Sequence, residues 1–216
     1  MIKLYDFLVF SSVISYLLPF ILSIKKIIFG IRNDELRILF LISIVSFLSE
    51  VCSFSFIYFL KLSNNSIVQV YTLIMIGLIY RYYRKKVLLA FKNIHGYILV
   101  VMLVYMLFFF FYDCGFNKMN VFANIFLTLY TILLASIYFY KVYTEMKITN
   151  LFQDGLFWIN SAFLIYFSST FYVSLFEEYI RSENSDLLYY TWPIQLVSTM
   201  IFNVILSRGI WLMKKQ

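Results

Sequence analysis

One carboxylic acid stands inside a long apolar run. Glu50 is the single charged residue of the stretch Ile38–Leu60. A helical rise of about 1.5 Å per residue sets it roughly 18 Å in from Ile38, near the middle of a bilayer core. A carboxylate at that depth is costly, faces a bundle interior by default, and marks a functional site. Ser43, Ser46, Glu50 and Ser53 recur at helical spacing, so the same helix carries a polar stripe. With no basic residue at matching depth, Glu50 either keeps its proton or is wetted inside a cavity. The plainer role is a protonated Glu that hydrogen-bonds two helices together.

Other apolar runs carry polar faces too. Gln195, Thr199, Asn203 and Ser207 follow one another every four residues, with Thr199 about as deep as Glu50. Asn160, Ser161, Ser168, Ser169 and Thr170 mark a second run, Gln69 and Thr72 a third, and Asn124, Thr128 and Thr131 a fourth. By residue count Asn160 and Asn203 both fall in the inner third, a depth at which they could meet. Five helices with polar faces predict a central cavity, with Glu50, Ser46, Gln69, Asn160, Gln195, Thr199 and Asn203 as candidate ligand-binding residues. For any one Ser or Thr, packing glue is the plainer role.

No catalytic set accompanies them. His95 is the only histidine and has no nucleophile motif around it. A retinal-type Schiff base needs a lysine in the last apolar run, and Leu187–Ile210 contains none. Cys52 falls mid-span and Cys114 in a loop, a poor geometry for a disulfide. With no CxxC and no Cys/His cluster, neither a metal nor a cofactor is expected.

The elements that must position these residues follow from composition. Of 216 residues 62% are hydrophobic and only 13% charged, whereas a soluble domain averages about 25% charged. A globule of this composition cannot cover itself with polar surface, which places the chain in lipid. Six Gly and two Pro leave little material for turns and favour long helices. Stretches free of Asp, Glu, Lys and Arg run over Phe7–Ile24, Leu62–Tyr80, Asn93–Tyr112, Met119–Tyr140, Gly155–Phe176 and Leu187–Ser207. With Ile38–Leu60 they make seven, each near the 20 or so residues a span needs. The expected fold is all-α, one transmembrane domain over 1–216 with helices at 5–26, 36–60, 63–81, 93–112, 119–141, 155–177 and 187–211. The first run has only Lys3 before it and no small-residue cleavage site after it, the pattern of an uncleaved anchor.

Charge sets the orientation. Lys3, Lys61, Lys118 and Arg181 fall on one side, and the other fourteen Lys and Arg on the opposite side. The positive-inside bias puts the N-terminus outside and the C-terminus in the cytoplasm, in the cytoplasmic (inner) membrane. Tyr80, Tyr82, Tyr83, Tyr143 and Trp211 at inner boundaries, and Tyr112, Tyr189, Tyr190 and Trp192 at outer ones, agree with aromatic belts. Arg81, Arg84, Lys85 and Lys86 form a basic inner loop suited to anionic lipid or an acidic partner face, though orientation alone explains it equally well. The formal charge of +7 belongs to this sorting, so nucleic acid is not an expected partner. Outside, Glu177, Glu178, Glu183 and Asp186 stand against Arg181 alone. Such a loop could receive a cationic ligand or metal; a solvated acidic loop is the plainer reading.

The run ELRILFLISIVSFLSE, from Glu35 to Glu50, resembles the second helix of a group of uncharacterised bacterial seven-helix membrane proteins of about this length. FWINSAFLIYFSSTFYV, from Phe157 to Val173, resembles the same group, and the likeness covers the whole chain. Members of that group have no assigned enzymatic activity, and some are encoded beside sensor histidine kinases. The resemblance therefore implies a sensory module acting through a separate kinase. It carries no functional residues with it.

Three functions compete. A receptor-like sensor fits the polar interior and the outer acidic loop. A small-solute transporter of the three-plus-one-plus-three type fits the size, but it relies on prolines in equivalent helices of two repeats. Pro19 and Pro193, in the first and last runs, are not equivalent. A membrane-embedded lipid hydrolase needs an acid and a base converging near the interface, and Glu50 stands alone and deep. The expected topology is checked by tag-accessibility labelling in intact cells: an N-terminal tag is reached from outside and a C-terminal tag only after permeabilisation.

Overall fold

The computed structural model describes residues 2–30, 33–84, 96–98, 100–105, 108, 121–145, 150–183 and 185–213, with the side chains of 2–5, 58 and 176–190 left aside. Among these residues all regular structure is helical. The helices are α1 (Ile2–Ser15), α2 (Leu17–Ile28), α3 (Asp34–Tyr58), α4 (Asn65–Arg84), a short apolar α5 (Gly96–Tyr105), α6 (Val121–Glu145), α7 (Gly155–Glu183) and α8 (Ser185–Leu212). A 3₁₀ turn, Leu151–Gln153, precedes α7.

Five stretches are long and apolar enough to cross a membrane: Asp6–Ile28, Asp34–Ile57, Val121–Glu145, Gly155–Leu175 and Thr191–Leu212. The 20 residues of α4 are long enough, but Asn65, Gln69, Arg81 and Arg84 make it less apolar. Half of the expected helix over 93–112 lies outside the described residues, as do His95, Lys85, Lys86 and Cys114. The last two helices are longer than expected. They reach Glu183 and start at Ser185, so the segment expected as an acidic loop is largely helix.

The first span runs over Asp6–Ile28 as one helical stretch long enough to cross a membrane, with a tightened turn at Tyr16, between α1 and α2. Pro19 has no amide hydrogen to give the Ser15 carbonyl, and its ring crowds that carbonyl. The Tyr16 amide instead closes a tighter turn onto the Val13 carbonyl at 3.3 Å. Buried Ser12, Ser15, Pro19 and Ser23 give this span a small inner face against α8, the kind of residue that lets helices approach closely in lipid.

The arrangement of polarity is inverted relative to a soluble protein. Phe10, Ile21, Leu48, Leu133, Ile201 and Val204 are exposed, while Ser43, Thr72, Thr131, Asn160 and Asn203 are buried. An apolar exterior this continuous is a lipid-facing surface.

Contacts between helix ends fix directions. The Lys26 ammonium donates to the Trp211 and Met213 carbonyls at 2.8 and 2.5 Å. A cation thereby satisfies the orphan carbonyls at the end of α8. The first span and α8 therefore run parallel. Asp154 caps α7, accepting from the Leu156 and Phe157 amides at 3.3 and 3.2 Å. The same carboxylate takes the Tyr138 hydroxyl of α6 at 3.2 Å, and the Tyr83 hydroxyl of α4 donates to Asn160 of α7 at 2.6 Å. So α2, α4, α6 and α8 finish, and α3 and α7 begin, at one end. Of the Lys and Arg whose side chains are described, Lys25, Lys26, Arg37, Arg81, Arg84, Lys141 and Arg208 lie toward this end and Lys61 at the other. We refer to it as the basic end.

The closest helix approach is between α7 and α8, at paired glycines. A Cβ on Gly155 would lie 2.7 Å from the Gly209 carbonyl oxygen, and one on Gly209 would lie 2.6 Å from Ile159 Cγ1 and 2.9 Å from the Gly155 oxygen. Gly209→Ala is expected to destabilise the detergent-solubilised protein by about 1–3 kcal/mol, the usual range for overpacking. Gly77→Ala meets nothing within 4 Å and serves as the control, with thermal unfolding temperature as the measurement.

Candidate functional site

A cavity of about 310 Å³ occupies the half of the bundle away from the basic end. That is near the lower limit for ligand cavities, about 300–1,000 Å³. Ser46, Ser49, Glu50 and Ser53 of α3 supply one wall, so the serine stripe read from the sequence does face inward. Opposite stand Asn124 and Thr128 of α6, Tyr166 and Thr170 of α7, and Gln195 and Thr199 of α8. The lining reaches Ile57, Asn64, Thr191 and Trp192, near the end of α3 and the starts of α4 and α8. The cavity therefore extends toward the end opposite the basic residues.

Three tyrosines surround the carboxylate. Tyr16, Tyr71 and Tyr166 line the cavity and stand within electrostatic reach of Glu50. The Tyr71 and Ser46 hydroxyls are within hydrogen-bonding reach of each other, and those of Tyr16 and Tyr166 both reach Thr199. Tyr16 stands at the tightened turn above Pro19, keeps a right-handed helical conformation, and is buried on the inner side of the first span. Glu50 itself has neither an ion pair nor a hydrogen bond among the described residues. Among the described residues no Lys, Arg, His or second acid lines the cavity.

Three lining threonine hydroxyls are spent locally. Thr128 donates to the Asn124 carbonyl at 2.8 Å, Thr170 to Tyr166 at 3.0 Å and Thr199 to Gln195 at 2.9 Å. These bonds run back along each hydroxyl's own helix and leave oxygen lone pairs facing the cavity.

The candidate residues thus divide. Glu50, Ser46, Gln195 and Thr199 meet at the cavity. Gln69, Asn160 and Asn203 are buried elsewhere. Asn160 and Asn203 do not pair: Asn160 accepts from Tyr83 and donates to the Leu156 carbonyl at 2.8 Å, while Asn203 donates to Ser15 Oγ at 2.8 Å. Helical rotation separates them, since each turns toward a different neighbour. Asn203 instead ties α8 to the end of α1. Arg81 and Arg84 are exposed at the basic end, remote from the cavity. Sequence reasoning missed Tyr16, Tyr71 and Tyr166. The signal was faint: nineteen Tyr in the chain hide three, and only the proline three residues after Tyr16 singles it out.

Below the cavity the bundle is closed. Tyr166 packs on Phe202 at a ring separation of 4.9 Å, Phe202 on Phe163 at 5.8 Å, Phe163 on Tyr82 at 5.7 Å, and Tyr82 on Tyr83 at 5.0 Å. Leu39, Ile42, Ile79, Ile159 and Ile210 fill the space around these rings and are fully buried.

Fold and site together define the class, a helical membrane protein with a tyrosine-lined cavity that holds one acid among the described residues. Compared with known protein families, with curated proteins and with solved structures, the chain matches none.

A water-filled cup makes a direct prediction. In a background carrying Cys52→Ser and Cys114→Ser, Ser53→Cys is expected to react with a membrane-impermeant thiol reagent applied from the side opposite the basic end. Asn160→Cys, in the packed half, is expected not to react. Protection of Ser53→Cys from that side removes the open cup.

Proposed function

We propose that the chain is a receptor-like sensory module of the cytoplasmic membrane that binds a ligand from outside and acts through a separate histidine kinase. In this reading it crosses the bilayer seven times, with its N-terminus outside. The parallel course of the first and last spans supports an odd number of crossings. So does the order in between. The chain leaves α4 at the basic end and enters α6 at the other, where Thr72 of α4 donates to Asn124 of α6 at 2.6 Å. A return passage belongs between them, and α5 is its described part. Sorting of the described Lys and Arg to one end supports that end as cytoplasmic.

The observation that carries the sensory reading is the cup. It reaches a deep carboxylate from the far side and stops on a packed core, and rings from Tyr166 to Tyr83 join its floor to the end that bears Arg81 and Arg84. Binding in the cup could shift that packing, which is how a small change at one site biases a bistable core.

A small-solute carrier is the second reading, because a carrier open to one side presents the same cup. A lipid hydrolase has less support: among the described residues the cavity holds one carboxylate and no base to work with it.

Cross-linking in native membranes followed by affinity purification is expected to recover a histidine kinase, and Arg81→Glu with Arg84→Glu to lose it. Glu50→Gln is expected to change autophosphorylation of the copurified kinase several-fold without loss of the complex. Failure to find any signalling partner, together with solute uptake by proteoliposomes, would transfer the assignment to the carrier.

A further inference from the structure

We propose that the cup is a binding site for a small organic monocation, an ammonium compound of roughly choline size. This inference rests on the reading of the cavity as a ligand site and specifies its ligand.

The charge argument comes first. Among the described residues Glu50 is the one carboxylate in the cavity, it has neither an ion pair nor a hydrogen bond, and no lining residue is basic. Anions are therefore repelled and neutral ligands leave the carboxylate unanswered. A monocation balances it one to one. The surroundings then select the kind of cation. Tyr16, Tyr71 and Tyr166 ring Glu50, and aromatic faces attract alkylammonium groups through their quadrupoles. Bare metal ions want something else. Calcium takes about 6–8 oxygen ligands, whereas here one carboxylate is accompanied by rings and by hydroxyls bonded to their own helices. Among the described residues no cluster of three His, Cys, Asp or Glu exists. Size agrees, since 310 Å³ admits a compact ligand and no large one.

The sequence adds a second preference. The connection from α7 to α8 carries Glu177, Glu178, Glu183 and Asp186 against Arg181, and it lies at the end of the bundle to which Thr191 and Trp192 of the lining belong. Net negative charge on one end of a protein concentrates cations there.

The competing occupant of Glu50 is a proton. Choline is permanently charged, so any pH dependence of its binding belongs to the protein. Binding needs the ionised carboxylate and should tighten as pH rises.

Isothermal titration of the purified full chain in detergent with choline is the test. Saturable binding is expected, tighter at higher pH, with the neutral carbon isostere of choline binding at least about tenfold more weakly. Glu50→Gln is expected to lose about tenfold or more, the scale of a charge-assisted contact. Tyr166→Phe should retain most binding and Tyr166→Leu should not, because the ring and not its hydroxyl meets the cation. A free amine and a lipid ammonium headgroup share this chemistry. Competition by phosphatidylethanolamine but not phosphatidylglycerol micelles would assign the site to the headgroup, and competition by neither to the free cation. The proposal is overturned by absence of choline binding, by equal binding of the isostere, or by unchanged affinity in Glu50→Gln. If Glu50→Gln does not fold, a flat pH dependence in the native chain overturns it equally. Kinase capture is scored separately, so loss of choline binding with capture intact removes the cation and leaves the receptor standing.

Discussion

Hydrocarbon offers a backbone amide or carbonyl nothing to bond to, and that constraint governs every element described above. A chain in lipid must close its backbone hydrogen bonds within each helix, because an open one costs several kcal/mol. Its apolar side chains then face outward at no cost and its polar ones turn inward. Phe10 and Ile201 are exposed and Asn203 is buried for this one reason. Where the helical ladder is interrupted, the interruption is turned to the interior. The tightened turn at Tyr16 lies beside Ser15, which receives Asn203. The terminal carbonyls of α8 are met by Lys26, at the end where basic residues gather.

Within that frame the two halves of the bundle differ in filling. Toward the basic end the space between helices is taken by large rings and branched aliphatics, and α7 and α8 close to backbone contact at Gly155 and Gly209. In the other half, α3 presents Ser46, Ser49 and Ser53, and α6, α7 and α8 present Thr128, Thr170 and Thr199. Short side chains on facing helices do not span the gap. The cavity is the space they leave, and Glu50 is placed where it begins. Packing density therefore decides both where a ligand fits and where it stops. The same division keeps the site dry on one side and open on the other, an arrangement suited to a receptor and to one state of a carrier.

The deep carboxylate owes its character to neighbours on other helices. An acid ringed by phenols is surrounded by groups that can donate to it, and by faces that attract whatever cation answers it. Neither property resides in α3. They arise because a proline in the first span, an ordinary helix position in α4 and another in α7 converge on one depth.

Much of this was legible from residue order. The membrane setting and the helical class were fixed by hydropathy and by the scarcity of Gly and Pro, because solvent acts on each segment separately and a span must satisfy its own backbone. The inward face of α3 was legible for the same local reason: Ser46, Glu50 and Ser53 share a stripe by helical geometry alone. What required the tertiary structure was rotation and pairing. Helix periodicity says which residues share a face but not which neighbour that face meets, so Asn160 and Asn203 looked like partners and proved to bond Tyr83 and Ser15. The tyrosines around Glu50 were invisible for a related reason, since an aromatic residue in an apolar run suits lipid, core and cavity alike, and only the packing of α1, α4 and α7 against α3 selects among them.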